Sequence, residues 1–422
     1  MTEPRELRER LVTGLRAGGA LHDDRVAAAL ADVPRHKFLP AIDTGRAYAD
    51  DAVVTKMDAD GRPISSSSQP AIMALMLEQL DVQPGHRILE IGAGTGYNAA
   101  LLAHLAGGSG EVTTLDLDDD IVAAAREHLA ACGYGGVRVV QADGVNGWPP
   151  GAPYDRIILT VGAWDIAPAW AAQLSPRGRL VLPLALRAGI QYSIAFEQAG
   201  DHMDSVSVLP CGFMRLRGAF AGPEIIVPLG RRTGMLAESD PRPADAEDLE
   251  SLLAQPGRAI GTGVRVTSTD LCGGLGLWLA AREPELGRLS AFGVGGPGPG
   301  DPASGPAAAA RRPGMGMGMV ASAHGCAALV PMSDPGGADP AGLRTPFDIG
   351  ACPFGTEGAE LAARLAGHVR DWDAAGRPSL AGLRVSAYPA GAVLPGAQHV
   401  TVIDKQHTRL VLDWPGAGLS PG

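Results

Sequence analysis

The sequence has few cysteines, few aromatic residues and a deficit of positive charge. Its 422 residues include five Cys, far apart and without a CxxC pair, so we expect reduced thiols and no metal site. Aromatic residues make up only 5% of the chain, and the formal net charge is -11. Because phosphate backbones repel an acidic protein, binding to nucleic acid is disfavoured. A small-molecule or peptide substrate fits this composition better.

Long apolar runs are also missing. The longest, such as Leu180 to Leu186, are far shorter than the roughly 20 residues that span a bilayer. The N-terminal sequence MTEPRELRERL is charged at every second or third position, unlike the apolar centre of a signal peptide. We therefore expect neither export nor membrane insertion, and predict a cytoplasmic protein.

Apolar residues, at 45%, are sufficient for a sizeable core, and the length favours two or three domains. Short apolar runs, the last of them a predicted strand from Arg179 to Leu186, alternate with helical patterns from Arg87 onward, and candidate antiparallel strands follow up to Met214. Such alternation predicts a doubly wound parallel sheet. After about residue 223 the pattern changes. A helix is predicted near Ala244 to Leu253, and Gly293 to Gly318 is dominated by Gly, Pro and Ala, which is typical of a loop or linker.

The most informative segment joins the strand Arg87 to Ile91 to the helix that starts at Tyr97. It reads Gly92-Ala93-Gly94-Thr95-Gly96, and glycines at this spacing let the backbone turn tightly and approach a ligand closely. A dinucleotide site would need glycine at position 97, where the chain has Tyr, so pyrophosphate binding is disfavoured. The turn instead has the spacing of methyltransferases that bind S-adenosylmethionine.

Acidic residues follow in the register that such a cofactor requires. Glu90 precedes the turn, Asp116 ends the next strand, and Asp143-Gly144 ends the third. A carboxylate at Asp116 can accept both ribose hydroxyls, and Asp143 is a candidate partner of the adenine amino group. The predicted cofactor-binding residues are Glu90, Gly92, Ala93, Gly94, Thr95, Gly96, Asp116, Leu117, Asp143 and Gly144.

At this point the sequence resembles the protein-L-isoaspartate O-methyltransferases over roughly residues 5 to 222. The matching segments are AYADDAVV, ISSSSQPAIMA, ILEIGAGTGYNAALLA, ADGVNGWPPGAPYDRIILTVGA and QLSPRGRLVLPL. The resemblance implies an α/β fold: a doubly wound, Rossmann-like class I S-adenosylmethionine-dependent methyltransferase sheet over residues 1–223. Residues 224–422 would then form a C-terminal α+β accessory domain, with the Gly/Pro-rich loop near 293–318.

The same resemblance implies a catalytic serine between methyl donor and substrate carboxylate. Aligning Ser-Gln-Pro places it at Ser68, but this chain has four consecutive serines, so Ser67 or Ser65 could serve instead. Asp50 and Asp51 could orient this loop, although solvation is the commoner state of surface acids. His36, His104 and His407 lack the spacing of a metal site and are interpreted as structural. Trp148 and Trp164 flank the predicted cofactor edge, although either could simply pack in the core.

The additional length of the chain suggests a specialised substrate. With its C-terminal run AELAARLAGHVRDWDAAGRPSLAGLRV followed by HTRLVLDWP, the chain resembles the long isoaspartyl-methyltransferase-type enzymes that accompany ribosomally made peptide natural products, such as lanthipeptides and graspetides. These methylate an aspartate of a cyclised precursor, and the ester then gives a succinimide or isoaspartate. General repair of isoaspartyl proteins is the alternative, and a non-catalytic cofactor-binding scaffold is a third hypothesis. The second domain would hold the precursor peptide or its leader, or help to shape the site.

Overall fold

The computed structural model describes residues 3–59, 61, 63–187, 189–223, 225–229, 233–237, 253, 255–284, 286–291, 317–322, 324–332, 345–394 and 400–414. Most of the predicted 293–318 loop lies outside these residues, although its last two begin a strand. A predicted helix at 244–253 lies outside them too, apart from Leu253.

Helices and strands follow one another along the described residues. The helices are α1 (Pro4–Ala17), α2 (Asp24–Asp32), α3 (Thr44–Ala47), α4 (Pro70–Leu80), α5 (Tyr97–Ala106), α6 (Asp119–Ala131), α7 (Pro168–Ala172), α8 (Ser268–Cys272), α9 (Gly274–Arg282) and α10 (Gly358–Ala374). The strands of the first half are β1 (Val53–Met57), β2 (Pro63–Ser67), β3 (Arg87–Ile91), β4 (Glu111–Asp116), β5 (Arg138–Gln141), β6 (Tyr154–Leu159), β7 (Leu174–Ala185), β8 (Gln191–Ala199) and β9 (His202–Cys211). Those of the second half are β10 (Ile225–Leu229), β11 (Thr233–Ala237), β12 (Ile260–Val266), β13 (Leu286–Ala291), β14 (Met317–Ser322), β15 (Gly325–Pro331), β16 (Phe347–Gly355), β17 (Arg384–Pro389), β18 (Thr401–Asp404) and β19 (Thr408–Asp413).

The central sheet confirms the predicted doubly wound α/β fold. Its strands lie in the order β18-β19-β17-β9-β8-β7-β6-β3-β4-β5. The five strands from β7 to β5 are parallel, and β8 and β9 are antiparallel partners, as expected. Strand order reverses between β3 and β6. In open α/β sheets ligands bind at the carboxyl ends of the strands at such a switch point.

Each face of the parallel sheet is covered by its own apolar core, because successive side chains of a strand point to opposite faces. Ile88 and Ile158 pack with the N-terminal helices. Leu89 and Ile157 belong to a second core, which also includes Trp372 of the C-terminal half. The two halves of the chain therefore share one continuous core.

Residues of the C-terminal half also complete the central sheet. Strand β17 pairs with β9 and β19 with β17, so that β17–β19 extend the central sheet. The remaining strands form a separate antiparallel sheet in the order β10-β11-β13-β14-β15-β16-β12, against which α10 packs. The division into residues 1–223 and 224–422 stays a prediction, but the last three strands return to the first sheet.

Candidate active site

A cavity of about 370 Å³ opens at the switch point of the sheet. That volume lies within the range of small-molecule sites. It is lined by the glycine turn after β3, by the ends of β4 and β5, by the serine run of β2 and by residues that follow β9. One cavity thus brings together the predicted cofactor turn and the predicted catalytic serines.

The glycine turn has the backbone conformation that its sequence predicts. Gly92, Gly94 and Gly96 have φ values of 105°, 51° and 85°, in the left-handed region that favours glycine. A Cβ on Gly92 would lie 2.7 Å from the Thr160 Oγ1 after β6. At Gly92 the turn therefore fits against the residue after the neighbouring strand only because Gly92 has no side chain.

Two of the three predicted acids line the cavity. Asp116 accepts hydrogen bonds from the backbone amides of Gly94 at 3.0 Å and Leu117 at 2.9 Å. Asp143 accepts from Val145 N at 3.1 Å and Ala219 N at 3.1 Å. Burial raises the pKa of Asp116 above its usual value, although these amides oppose the shift. Each carboxylate keeps unused lone pairs for a ligand.

Glu90 takes a different position from the other predicted cofactor residues. It is fully buried outside the cavity lining and accepts hydrogen bonds from Asn98 Nδ2 at 2.7 Å and Thr114 Oγ1 at 2.6 Å. Burial, helped by the charge of Asp116, raises its pKa to about 7. Glu90 thus joins β3, β4 and α5 beneath the turn. Gly96 also lies outside the lining, at the start of α5.

The serine run is part of a β-hairpin, not a flexible loop. Strand β2 pairs with β1, and Ser65 Oγ accepts a hydrogen bond from Thr55 Oγ1 at 3.1 Å. Ser67 is 3% exposed, and its Oγ has no hydrogen-bond partner among the described residues. Ser68 follows the strand and is half-buried. All of Ser65 to Ser68 line the cavity.

Arg35, which the sequence did not predict as a site residue, supports the serine run through a hydrogen bond to its backbone. It is fully buried, and its guanidinium donates to the carbonyl of Ser68 at 2.8 Å and to that of Ala47 at 2.9 Å. The guanidinium also lies over the ring of Tyr97, 5.1 Å from the centroid. Burial lowers the pKa of Arg35. Its sequence context, a single Arg between Pro34 and His36, does not predict this role.

Asp50 orients the start of α4, which the sequence only suggested. Its carboxylate accepts from the Ala71 amide at 2.8 Å and from Gln69 Nε2 at 3.1 Å, so it caps the helix that follows the serines. Asp51, by contrast, is exposed and bonds only to the adjacent Ala52 amide. Of these two acids, only Asp51 is therefore in the solvated state that is usual for surface carboxylates.

Residues 211–222 start at the last residue of β9 and close one side of the cavity. We call them the crossing segment. Met214 O accepts from the Gly162 amide at 2.7 Å, and Leu216 N donates to Gly162 O at 2.8 Å. Arg217 and Lys56 of the hairpin both bind Asp118, at 2.9 and 2.8 Å. Burial favours neutral Asp118, but these two cations lower its pKa overall.

The remaining aromatic and histidine candidates lie away from the cavity lining. Trp148, Trp164, His36, His104 and His407 are all absent from it, in agreement with structural roles. Within the described residues there is no cluster of three or more potential metal ligands. No helix among them is long and apolar enough to cross a bilayer.

Comparison with known proteins agrees with this geometry. The sequence profile of the family "Protein-L-isoaspartate(D-aspartate) O-methyltransferase (PCMT)" matches residues 6–218. A Methanopyrus kandleri protein-L-isoaspartate O-methyltransferase is 42% identical over 184 residues, which are 43% of this chain and 79% of that protein. A relative of the same name from Methanoregula boonei is 39% identical over 213 residues, 50% of this chain and 94% of the relative.

A solved structure titled protein-L-isoaspartate O-methyltransferase is similar over both halves of the chain. It covers 90% of this chain and 96% of its own, at 22% identity and a TM-score of 0.50, and so supports the fold. The family match covers half of the chain and contains the glycine turn, both cavity acids and the serine run. The chain therefore belongs to the protein-L-isoaspartate O-methyltransferase family of S-adenosylmethionine-dependent enzymes.

Proposed function

We propose that this protein is an isoaspartyl repair methyltransferase, which esterifies the free carboxylate of L-isoaspartyl residues in proteins and peptides. The observation that carries the proposal is the single cavity lined by both the glycine turn and the serine run. Methyl transfer would require the cofactor-binding residues and the substrate-orienting hydroxyls to share one cavity, and the residues predicted for both roles line this one. The names of the relatives support the same substrate class.

The residues present fit S-adenosylmethionine. A carboxylate has about four lone-pair sites, and the two hydrogen bonds at Asp116 leave two for the ribose hydroxyls. Asp143 likewise retains capacity for the adenine amino group. Gly94 has no side chain to enter the cavity that it lines, where a Cβ would lie 3.5 Å from the Ser66 carbonyl oxygen. When bound, the cofactor supplies an electrophilic methyl group on a sulfonium sulfur.

The protein's own contribution is orientation and exclusion of water. A substrate carboxylate is ionised at pH 7 and is already a nucleophile, so no general base is needed. The two acids that line the cavity are held by backbone amides, in agreement with binding roles. Holding the reactants in line can supply ~7–11 kcal/mol. Ser68 would aim one carboxylate oxygen, and Arg35 fixes the carbonyl of that residue.

The later steps require no group from the enzyme. The methyl ester is a better electrophile than the carboxylate, so the following backbone nitrogen attacks its carbonyl carbon. The new C–N bond closes a succinimide, and the methoxy group leaves as methanol with the proton of the amide. Hydrolysis of the succinimide then gives aspartate or isoaspartate. This sequence explains why a repair enzyme needs only one catalysed step.

Tailoring of a cyclised ribosomal peptide stays a prediction, because nothing in the fold favours it over repair. The extra length of the chain is the feature that suggests tailoring. A structure titled protein-L-isoaspartate O-methyltransferase matches 90% of the chain, including much of the C-terminal half. Extra length alone is thus a weak indication of a specialised substrate. Peptide recognition by that half is likewise a hypothesis that only substrate tests can decide.

The substrate test compares peptides that differ in one bond. Wild-type protein is incubated with labelled S-adenosylmethionine and an isoaspartyl peptide, its aspartyl twin of the same sequence, or a ring-closed precursor peptide. Repair predicts label in the isoaspartyl peptide and little in the twin. Label in the cyclised aspartyl peptide alone would support tailoring and contradict repair. Tight cofactor binding without any transfer would support the scaffold hypothesis.

The register of the serines is tested separately with two matched variants. We expect Ser68→Ala to lower kcat by about 10- to 100-fold, since one orienting hydrogen bond contributes about 1.5–3 kcal/mol to a charged group. Affinity for S-adenosylhomocysteine should change less than twofold. Ser67→Ala removes the neighbouring unpartnered hydroxyl and is the control. A large loss of kcat in Ser67→Ala with normal Ser68→Ala would move the role to Ser67.

A further inference from the structure

The β18–β19 hairpin, near the C-terminal end of the described residues, contacts the crossing segment and a loop beside it. Asp165, in the loop after β6, is fully buried, and its carboxylate accepts from the His407 amide at 2.6 Å and from the Thr408 hydroxyl. A buried carboxylate is costly unless it is hydrogen-bonded. His407 and Thr408, which lie 242 and 243 positions after Asp165 in the sequence, therefore donate hydrogen bonds to this buried carboxylate.

The ring of His407 also contacts the crossing segment directly. It stacks on Phe220, with centroids 5.5 Å apart and an interplanar angle of 23°. Phe220 also makes a T-shaped contact with Trp170, with centroids 5.5 Å apart, and Trp170 Nε1 donates to Gly144 O at 2.8 Å. Phe220 thus contacts both a C-terminal residue and a residue that is hydrogen-bonded to the predicted adenine site.

One residue before Phe220, the chain contacts one of the predicted cofactor acids. The Ala219 amide donates to Asp143 at 3.1 Å, and Arg217 binds Asp118 at 2.9 Å. Residues 211–217 of the same segment line the cavity. Any displacement of Phe220 would therefore move the amide that orients Asp143 and the wall that covers the cavity.

We propose that the β18–β19 hairpin is a latch, in which His407 is a positioning residue that holds the crossing segment over the cofactor site through Phe220. The family match ends at residue 218, so Phe220, His407 and Thr408 all lie beyond it. The inference rests on the proposed function only for the identity of the ligand. It assigns part of the C-terminal half to the cofactor site instead of to peptide recognition.

The chain offers a matched control for this latch. His202 of β9 stacks on Tyr388 of β17, with centroids 4.4 Å apart and an interplanar angle of 14°. That pair also joins the two halves of the chain, but neither residue belongs to the crossing segment, part of which lines the cavity. A purely structural effect of losing a histidine stack would therefore appear in His202→Ala as well as in His407→Ala.

The test measures S-adenosylhomocysteine binding to full-length protein by calorimetry. Stacked aromatic pairs have coupling energies that correspond to about a two- to tenfold change in an equilibrium constant. We expect His407→Ala to raise Kd and the KM for S-adenosylmethionine by about three- to tenfold, with kcat within twofold of wild type. His407→Phe should restore both values, and His202→Ala should leave them unchanged.

Hydrogen exchange of the ligand-free protein gives a second readout. The amides of Leu216 and Ala219 should exchange faster in His407→Ala but not in His202→Ala. If His407→Ala does not fold, Thr408→Val makes the same test by removing one bond to Asp165. Wild-type affinity and exchange in the latch variants, or equal losses in His202→Ala, would overturn the proposal. Failure of wild-type protein to bind S-adenosylhomocysteine would instead refute the proposed function.

Discussion

The buried carboxyl of Glu90 should make the protein less stable as the pH rises toward neutrality. Burial raises its pKa to about 7 from the ordinary value of 4.5. The unfolded chain therefore ionises near pH 4.5, while the folded protein retains the proton until about pH 7. Stability is lost across that interval, because the unfolded state releases its proton first, and the loss is constant above pH 7.

The size of the effect follows from the two pKa values. Linkage gives a destabilisation of about 1 kcal/mol at pH 5 and about 3 kcal/mol at pH 8. Glu90→Gln removes the titration but keeps the shape. Its amide oxygen can still accept from Asn98 Nδ2, and its amino group can donate to Thr114 Oγ1. The variant should therefore gain about 2 kcal/mol relative to wild type between pH 5 and pH 8.

The assay is urea unfolding of both proteins at pH 5 and pH 8, followed by tryptophan fluorescence. Glu283→Gln is a control of opposite sign, because His368 and Arg364 hold the pKa of Glu283 below its usual value against its burial. At pH 8 Glu283→Gln should therefore have a lower free energy of unfolding than the wild type. A pH-independent difference between Glu90→Gln and wild type would refute the reasoning, and so would destabilisation of Glu90→Gln at pH 8.

Two further predictions concern binding and positioning. Asp116→Ala should weaken S-adenosylhomocysteine binding by about 10- to 100-fold in calorimetry, since two hydroxyls lose a charged acceptor; unchanged affinity would exclude Asp116 from the ribose site. Arg35→Met should lower the free energy of unfolding by about 2–4 kcal/mol in urea and also lower kcat, because the Ser68 carbonyl loses its donor. Arg156→Met, which removes another buried guanidinium, should destabilise without lowering kcat of the remaining folded protein. Equal kcat in the two arginine variants would remove the positioning role from Arg35.

The sequence predicted the parallel sheet well because its strands and helices have strong periodicity. Helix α5 begins and ends where its apolar pattern does, at Tyr97 and Ala106. Strand β7 begins at Leu174, five residues before the predicted Arg179, because Pro176 and Gly178 are more typical of a turn. The serine run was harder, since four identical polar residues show no alternation. Its pairing with β1 makes it a strand.

The site was only partly predictable for a different reason. Asp116 and Asp143 end strands at the switch point, so their positions follow from topology. Glu90 lies one position before the end of its strand, and the sequence does not show that it points away from the cavity. The contacts of Arg35, Phe220 and His407 join residues far apart in sequence, and no local pattern records such contacts.

The central proposal is that this cavity directs a methyl group to an isoaspartyl carboxylate. The direct measurement uses S-adenosylmethionine with a ¹³C-labelled methyl group and an isoaspartyl peptide, followed by NMR of the product before the ester decays. We expect the label as a methyl ester on the α-carboxyl of the isoaspartyl residue. Label on any other atom of the peptide, or none despite bound cofactor, would contradict it.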